Sequence, residues 1–304
     1  MMNYDIILVR YGELSLKSSY VRKYFESILV RNIKKALAQE NIPYSITKER
    51  GRIYLSTTEI PKSCSVLSKI FGIVSFSPAV QTTSDIKDIS RVALQLVKNI
   101  LTKEKSFAIR STRVGTHTFS SQQVAIQIGN EIVKTTHAKV DLTHPDVKLF
   151  IEIRDKKSFL FTEKMKGVGG LPLGTQGKIL ALIENPFSLL AAWYLMRRGC
   201  NVLIVNTKKT NDEFLYSFLN NWYADAEIIT VDQKTKNFFN QIHTLASEKN
   251  CDALVTGHTL EEPSCILATI EQLKKQIVIP VLTPLIAMTH EELQKQCKKR
   301  GISL

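Results

Sequence analysis

The stretch from Lys164 to Gly199, KMKGVGGLPLGTQGKILALIENPFSLLAAWYLMRRG, sets the strongest limit on what this chain can fold into. Five of the 13 glycines fall between Gly167 and Gly177, which reads as a loop. The apolar run Ile179 to Ile183 follows, then the polar break Glu184, Asn185 and Pro186, then an apolar-periodic segment ending in Arg197, Arg198 and Gly199. That order predicts a strand, a turn, a helix and a glycine stop, the opening of an α/β domain. A helix that opens after a strand is where such domains hold phosphates, because its first N–H groups lack internal partners and its dipole adds positive potential. Here the turn is a poor cradle: the glycines precede the strand, and Glu184 places a repelling charge in the turn itself. An ordinary first strand and helix is the plainer reading of these residues.

A chain of 304 residues is long enough for two or three domains with apolar cores of their own. No apolar run approaches the roughly 18 residues of a membrane span, and the start MMNYDIILVR carries an acid where a signal peptide has basic residues. A cytoplasmic protein with no membrane partner is expected. Cys64, Cys200, Cys251, Cys265 and Cys297 show no metal-ligand or redox-pair spacing and read as reduced, buried small hydrophobes. His117, His137, His144, His243 and His290 show no metal spacing either, so no metal site is expected. His258 ends a predicted strand beside Gly257, where α/β sheets present ligands; a capping or packing role is the plainer alternative.

Charge is uneven along the chain. Of the net +13, residues 1–176 hold 27 Lys and Arg against 15 Asp and Glu, and residues 177–304 hold 14 against 13. A front half with nearly all the excess predicts a polyanion-binding surface there, the alternative being a solvated basic surface without a partner.

Read forward, the chain predicts a strand over Tyr4 to Val9, a loop with Gly12 at its turn, and a helix over Tyr20 to Leu37 with Val21, Phe25, Ile28, Leu29 and Ile33 on one face. Strands follow at Tyr44 to Thr47 and Ile53 to Leu55, a helix over Pro61 to Ile70, and a strand over Ile73 to Val80. The order βαββαβ is that of a ferredoxin-like unit. The pattern resets near Val80 to Thr83. A helix over Ile86 to Leu101, a strand over Ser106 to Ser111, a helix over Gln122 to Val133 and a hairpin of Lys148 to Ile153 with Ser158 to Thr162 come next. Arg110 and Arg113 bracket a strand end, where a guanidinium can donate two parallel hydrogen bonds to a phosphate, and Lys139, Lys148, Lys164 and Lys166 recur downstream.

These residues carry a family resemblance. RYGELSLKSSYVRKYFE resembles the opening signature of the tRNA 4-thiouridine synthetases, and IFGIVSFSPA the end of their ferredoxin-like domain. FAIRSTRVGTHTFSSQQ and KVDLTHPDVKLFIEIR resemble the THUMP domain, an RNA-binding module, and FTEKMKGVGGLPLGTQGK the linker into the catalytic domain. The resemblance implies a multidomain α/β and α+β protein: a ferredoxin-like domain over 1–80, a THUMP domain over 81–166, a linker over 167–176 and a Rossmann-like parallel α/β domain of the pyrophosphatase-loop type over 177–304. It also implies tRNA as partner, gripped at its acceptor end. The RNA-binding positions it implies are Arg10, Lys17, Arg22, Lys23, Arg110, Arg113, Lys139, Lys164 and Lys166.

The third domain departs from the family pattern. Where relatives carry SGG-x-DSP, this chain has Glu184 to Leu189, ENPFSL, with only Ser188 at a functional position. The segment that holds the family's sulfur-carrying cysteine, here Asp232 to Asn250, contains none. TGHTLEEPSCI keeps Thr256 and Gly257 of the next motif, and LTPLIAM has Thr283 in place of an arginine. The expectation is therefore a tRNA-binding relative with a degenerate catalytic loop, no catalytic residues, no cofactor, and a remnant nucleotide pocket of Leu182, Ile183, Ser188, Asn206, Thr207 and Gly257. It would work beside a separate active enzyme or sulfur donor. The alternative is an active sulfurtransferase making 4-thiouridine with ATP and magnesium at a diverged site.

Overall fold

The computed structural model describes residues 4–12, 18–49, 51–207, 210–260, 271, 273 and 275–303. The chain forms two compact units, one of Met1–Tyr11, Leu37–Ser68 and Ser75–Lys166, the other of Gly12–Ala36, Lys69–Val74 and Gly167–Leu304.

The first unit is built on a sheet whose strands are β1 (Ile6–Tyr11), β2 (Ser45–Glu49), β3 (Arg52–Ser56), β4 (Ile73–Thr83), β5 (Ser106–Val114), β6 (Lys139–Val140), β7 (Val147–Arg154), β8 (Lys157–Phe161) and β9 (Met165–Lys166). Their order is β2-β3-β1-β4-β8-β7-β5-β6, with β9 pairing β4 off that path. The boundary expected at residue 80 falls inside β4, which runs on to Thr83 and pairs Val80–Thr83 with β8, while Ser75 and Phe76 pair with β9. Pro78 sits between those two sets of partners, where its missing N–H costs the ladder least.

Helices α1 (Ser19–Gln39), α2 (Ile60–Leu67), α3 (Ile86–Val97) and α4 (Ser121–Thr136) lie among these strands in the chain. On α1 the expected face of Phe25, Ile28, Leu29 and Ile33 is buried. The α3 helix starts where the Asp85 side chain accepts from Lys87 N, and α4 starts in a Ser120–Gln123 capping box and ends at His137 in the left-handed region. Ile89, Val92 and Leu96 of α3 and Val124, Ile128 and Ile132 of α4 bury one face of the sheet with Leu149, Ile151, Ile153 and Leu160. The β5 strand is longer than predicted because it pairs in parallel with β7 along its whole length, Phe107↔Val147 to Val114↔Arg154.

The second unit contains a five-stranded parallel sheet of β10 (Gln176–Ile183), β11 (Cys200–Asn206), β12 (Ala226–Thr230), β13 (Ala253–Val255) and β14 (Val281–Leu282), ordered β12-β11-β10-β13-β14. Helices α5 (Pro186–Arg197), α6 (Asp212–Asn221), α7 (Phe238–Glu248) and α8 (His290–Lys299) cover it. Alternate residues of β10 enter opposite cores: Ile179, Ala181 and Ile183 pack with α5, α6 and α8, and Leu180 and Leu182 pack with Phe238 and Ile242 of α7. Burial on both faces is what a continuous apolar strand requires.

The glycines ahead of β10 serve packing. Leu171 N donates to the Arg197 carbonyl at 3.0 Å and Gly174 N to the Gly199 carbonyl at 2.9 Å, so the predicted linker lies against the end of α5. Gly170, at φ 75°, lies so close to the Arg197 carbonyl that a Cβ there has no room.

Candidate functional site

In β7, VKLFIEIR, every second residue is apolar and buried against α3 and α4: Leu149, Ile151 and Ile153. Lys148, Phe150, Glu152 and Arg154 alternate with these and so turn to the opposite face of the sheet. On that face Ile6, Leu8, Tyr54, Phe159 and Phe161 form a small apolar cluster with Phe150 packed on it, and Phe150 stacks on Phe161 with centroids 5.1 Å apart. Beside the cluster lies a cavity of about 430 Å³ bordered by Arg10, Arg52, Arg110, Lys148 and Lys164, with Glu152 and Thr112 in its wall.

Glu152 organises this basic wall. Its carboxylate accepts from Arg10 Nη2 at 3.2 Å, from Arg52 Nε at 2.7 Å and from Arg154 Nε at 3.0 Å. Burial alone would raise its pKa, but the charges of Arg52 and Arg10 and the hydrogen bonds of Arg154 and Arg52 outweigh that, and the net shift is downward. Arg10 is buried, donates also to Ser77 Oγ at 2.9 Å, and lies 4.8 Å over the Phe161 ring. Its burial lowers its pKa, against the opposing pull of Glu152.

Of the predicted RNA-binding residues, Arg10, Arg110 and Lys164 meet at this cavity. Arg10 holds the wall, while Arg110 and Lys164 are exposed. Arg110 donates to the Leu142 carbonyl at 2.5 Å; Arg113, also exposed, donates to the Gly115 carbonyl at 3.1 Å near His117. Lys139 and Lys166 are exposed on the two-residue strands β6 and β9. Arg22 and Lys23 sit on α1 within the second unit, Arg22 half-buried and 3.7 Å from Glu26, Lys23 exposed. Lys17 lies outside the described residues. Sequence reading missed Arg52, Glu152 and Arg154; the K-x-F-x-E-x-R alternation of β7 was the available signal.

The second place of interest is the turn from β10 into α5. Asn185, extended at φ −161°, caps the helix: its side chain accepts from Ser188 N at 3.0 Å. Pro186 takes the first helical position and has no N–H. Ser188 Oγ accepts from Glu184 N at 3.3 Å. The Glu184 carboxylate accepts from Gln233 Nε2 at 2.8 Å and lies 3.6 Å from His258 Nε2, whose other ring nitrogen is 2.9 Å from Thr256 Oγ1. Gly257 lies against the backbone of Phe187 and Ser188 so closely that a Cβ there would collide with it.

The remaining positions expected to line a nucleotide pocket are engaged within the fold. Leu182 and Ile183 are buried in opposite cores. Asn206 Nδ2 donates to the Thr210 carbonyl and to Asp212 Oδ1, both at 2.7 Å, and Thr207 Oγ1 donates to the Ile183 carbonyl at 3.0 Å. Among the described residues no three His, Cys, Asp or Glu side chains are grouped to hold a metal, and no helix is long and apolar enough to cross a membrane.

Comparison with known proteins matches three family models: the ThiI ferredoxin-like domain at residues 6–77, the THUMP domain at 83–163, and the thiamine biosynthesis protein (ThiI) at 223–302. A probable tRNA sulfurtransferase of Methanobrevibacter smithii is 33% identical, the match covering 99% of this chain and 87% of that protein. The tRNA sulfurtransferase of Pyrobaculum aerophilum is also 33% identical, over 98% of this chain and 67% of that protein. The first alignment runs over 337 residues against the 304 here, so that relative has internal residues this chain lacks. Among solved structures, PH1313 from Pyrococcus horikoshii Ot3 superposes with a TM-score of 0.86 at 28% identity, covering 98% of this chain and 99% of that one. A 4-thiouridine synthetase, solved as an RNA complex with bound ATP, superposes with a TM-score of 0.82 at 23% identity, over 99% and 86% of the two chains, a likeness of fold. Three domain models in the family's order and relatives aligned along nearly the whole chain place this protein in the tRNA sulfurtransferase family.

Proposed function

We propose that this chain binds tRNA at its acceptor end through the basic face of the first unit, without adenylating uridine itself. The turn at Glu184–Ser188 is the observation that carries the reading. A triphosphate does not fit the residues there: Pro186 has no N–H to offer, Ser188 N is taken by Asn185, and the Glu184 carboxylate stands at the strand end. Each lost hydrogen bond to a charged phosphate forfeits about 1.5–3 kcal/mol, and every 1.4 kcal/mol or so is tenfold in affinity. Magnesium, which bridges such phosphates, loses its anchor with them. RNA binding is supported by the family, by the excess of basic residues in 1–176 and by the five basic side chains at one cavity. A chain of this kind presents tRNA, in the cytoplasm, to a separate enzyme or sulfur donor.

The alternative, a sulfurtransferase with a diverged nucleotide site, draws on the 33% identity to relatives that bear that name. Filter binding of unmodified tRNA by the full chain tests the first half. Affinity should exceed that for a blunt RNA duplex, because unstacked ends expose base edges; equal affinity would refute recognition of the acceptor end.

A further inference from the structure

The cavity of the first unit is built for more charge than one phosphodiester brings. Arg10 and Arg52 share one carboxylate with Arg154, so part of their charge is spent, yet Arg110, Lys148 and Lys164 stand at the same cavity without an acidic partner among the described residues. The positions of the buried groups are fixed by packing: Arg10 by Ser77 Oγ and the Phe161 ring, Glu152 by three guanidinium donors. Phe150 and Phe161 give the cavity an apolar flank, which keeps water out and strengthens each electrostatic contact. Arginine forks meet phosphate oxygens in pairs.

A phosphate inside an RNA strand has one negative charge and two free oxygens. A terminal phosphate monoester has about −1.5 to −2 and three free oxygens. The sheet closes one side of the cavity, which suits a strand end better than a strand that passes through. Resting on the RNA-binding reading, we infer that this cavity receives a terminal phosphate monoester of an RNA strand, with Arg52, Arg110, Lys148 and Lys164 as its partners and Glu152 as the positioning residue that orients the Arg52 guanidinium. The monoester belongs to a 5′ end or a 3′ end; both present the same group.

The test uses the unmodified full chain. Fluorescence anisotropy compares one acceptor-stem RNA hairpin carrying a 5′-monophosphate, a 3′-phosphate or hydroxyls at both ends. One phosphorylated form should bind at least about tenfold tighter than the hydroxyl form, equivalent to about 1.4 kcal/mol, and which form does so identifies the end. Lys148→Met, at an exposed rim position, should reduce that preference several-fold while the hydroxyl form loses less. Equal affinity for all three RNAs overturns the inference and leaves RNA binding standing. Failure of all three to bind overturns both.

Discussion

Glu152→Gln is the substitution whose cost the structure bounds most closely. The side chain is 8% exposed and meets three guanidinium groups, those of Arg10, Arg52 and Arg154. Glutamine keeps the shape but brings no charge, and one end of its amide is a donor facing donors. Removing one partner of a buried pair costs about 3–5 kcal/mol. Arg52 and Arg154 side chains are 23% and 12% exposed, so water makes up part of the loss; Arg10, at 10%, gains less from it. The expected cost is thus near the lower bound, about 3 kcal/mol, which for a body of this size lowers the melting temperature by roughly 6–12 °C. The pH dependence follows from the same carboxylate. Its folded pKa is depressed below the ordinary 4.5. Its stabilisation is therefore complete above the unfolded pKa of about 4.3 and is lost as pH falls through the lower folded value. The gap between wild type and Glu152→Gln should narrow below about pH 4. Both tryptophans, Trp193 and Trp222, belong to the second unit, so calorimetry or far-UV circular dichroism is the probe rather than fluorescence. A loss under about 1 kcal/mol, or a gap that stays constant on acidification, would refute the role given to Glu152.

Replacing Arg110 and Arg113 together with Glu should abolish tRNA binding with little change in melting temperature, since both are exposed; a variant that unfolds would show that they hold the domain together. Affinity for tRNA should fall with salt at a log–log slope of roughly 0.7–0.9 per neutralised phosphate, and a flat response in filter binding would count against phosphate contacts. Gly170→Ala places a Cβ against the Arg197 carbonyl at a left-handed φ of 75° and should cost about 1–3 kcal/mol in urea denaturation; wild-type stability would mean the 167–176 segment is not held as described. ATP with magnesium should give no heat of binding at tens of micromolar in a calorimetric titration of the full chain, and a clear isotherm there would revive the nucleotide site.

The sequence made the regular elements legible and left the joints obscure. Strands such as β7 and β10 and helices such as α3 and α4 carry their period in their own residues, and they appear within a few positions of where they were expected. The two-residue strands β6 and β9 have no period to read; tertiary pairing alone defines them. The continuity of β4 past residue 80 was hidden because Pro78 reads locally as a break, and only its change of partners explains why the strand runs on. At the candidate site, Arg10 and Arg110 were visible as basic residues in recognisable motifs, but the carboxylate that ties Arg10 to Arg52 is 142 residues away from it. The turn at Glu184 was legible as the loss of a phosphate cradle. Its replacement was not: Gln233 and His258 reach Glu184 from two later strand ends.

The central claim is that this family member binds tRNA without spending ATP on it. Incubating the full chain with ATP, magnesium and unmodified tRNA, at a concentration where filter binding shows the RNA bound, and measuring AMP and pyrophosphate release tests that claim most directly. Bound tRNA with release no faster than in a protein-free control is the predicted result. Release that depends on tRNA and exceeds that control would contradict it.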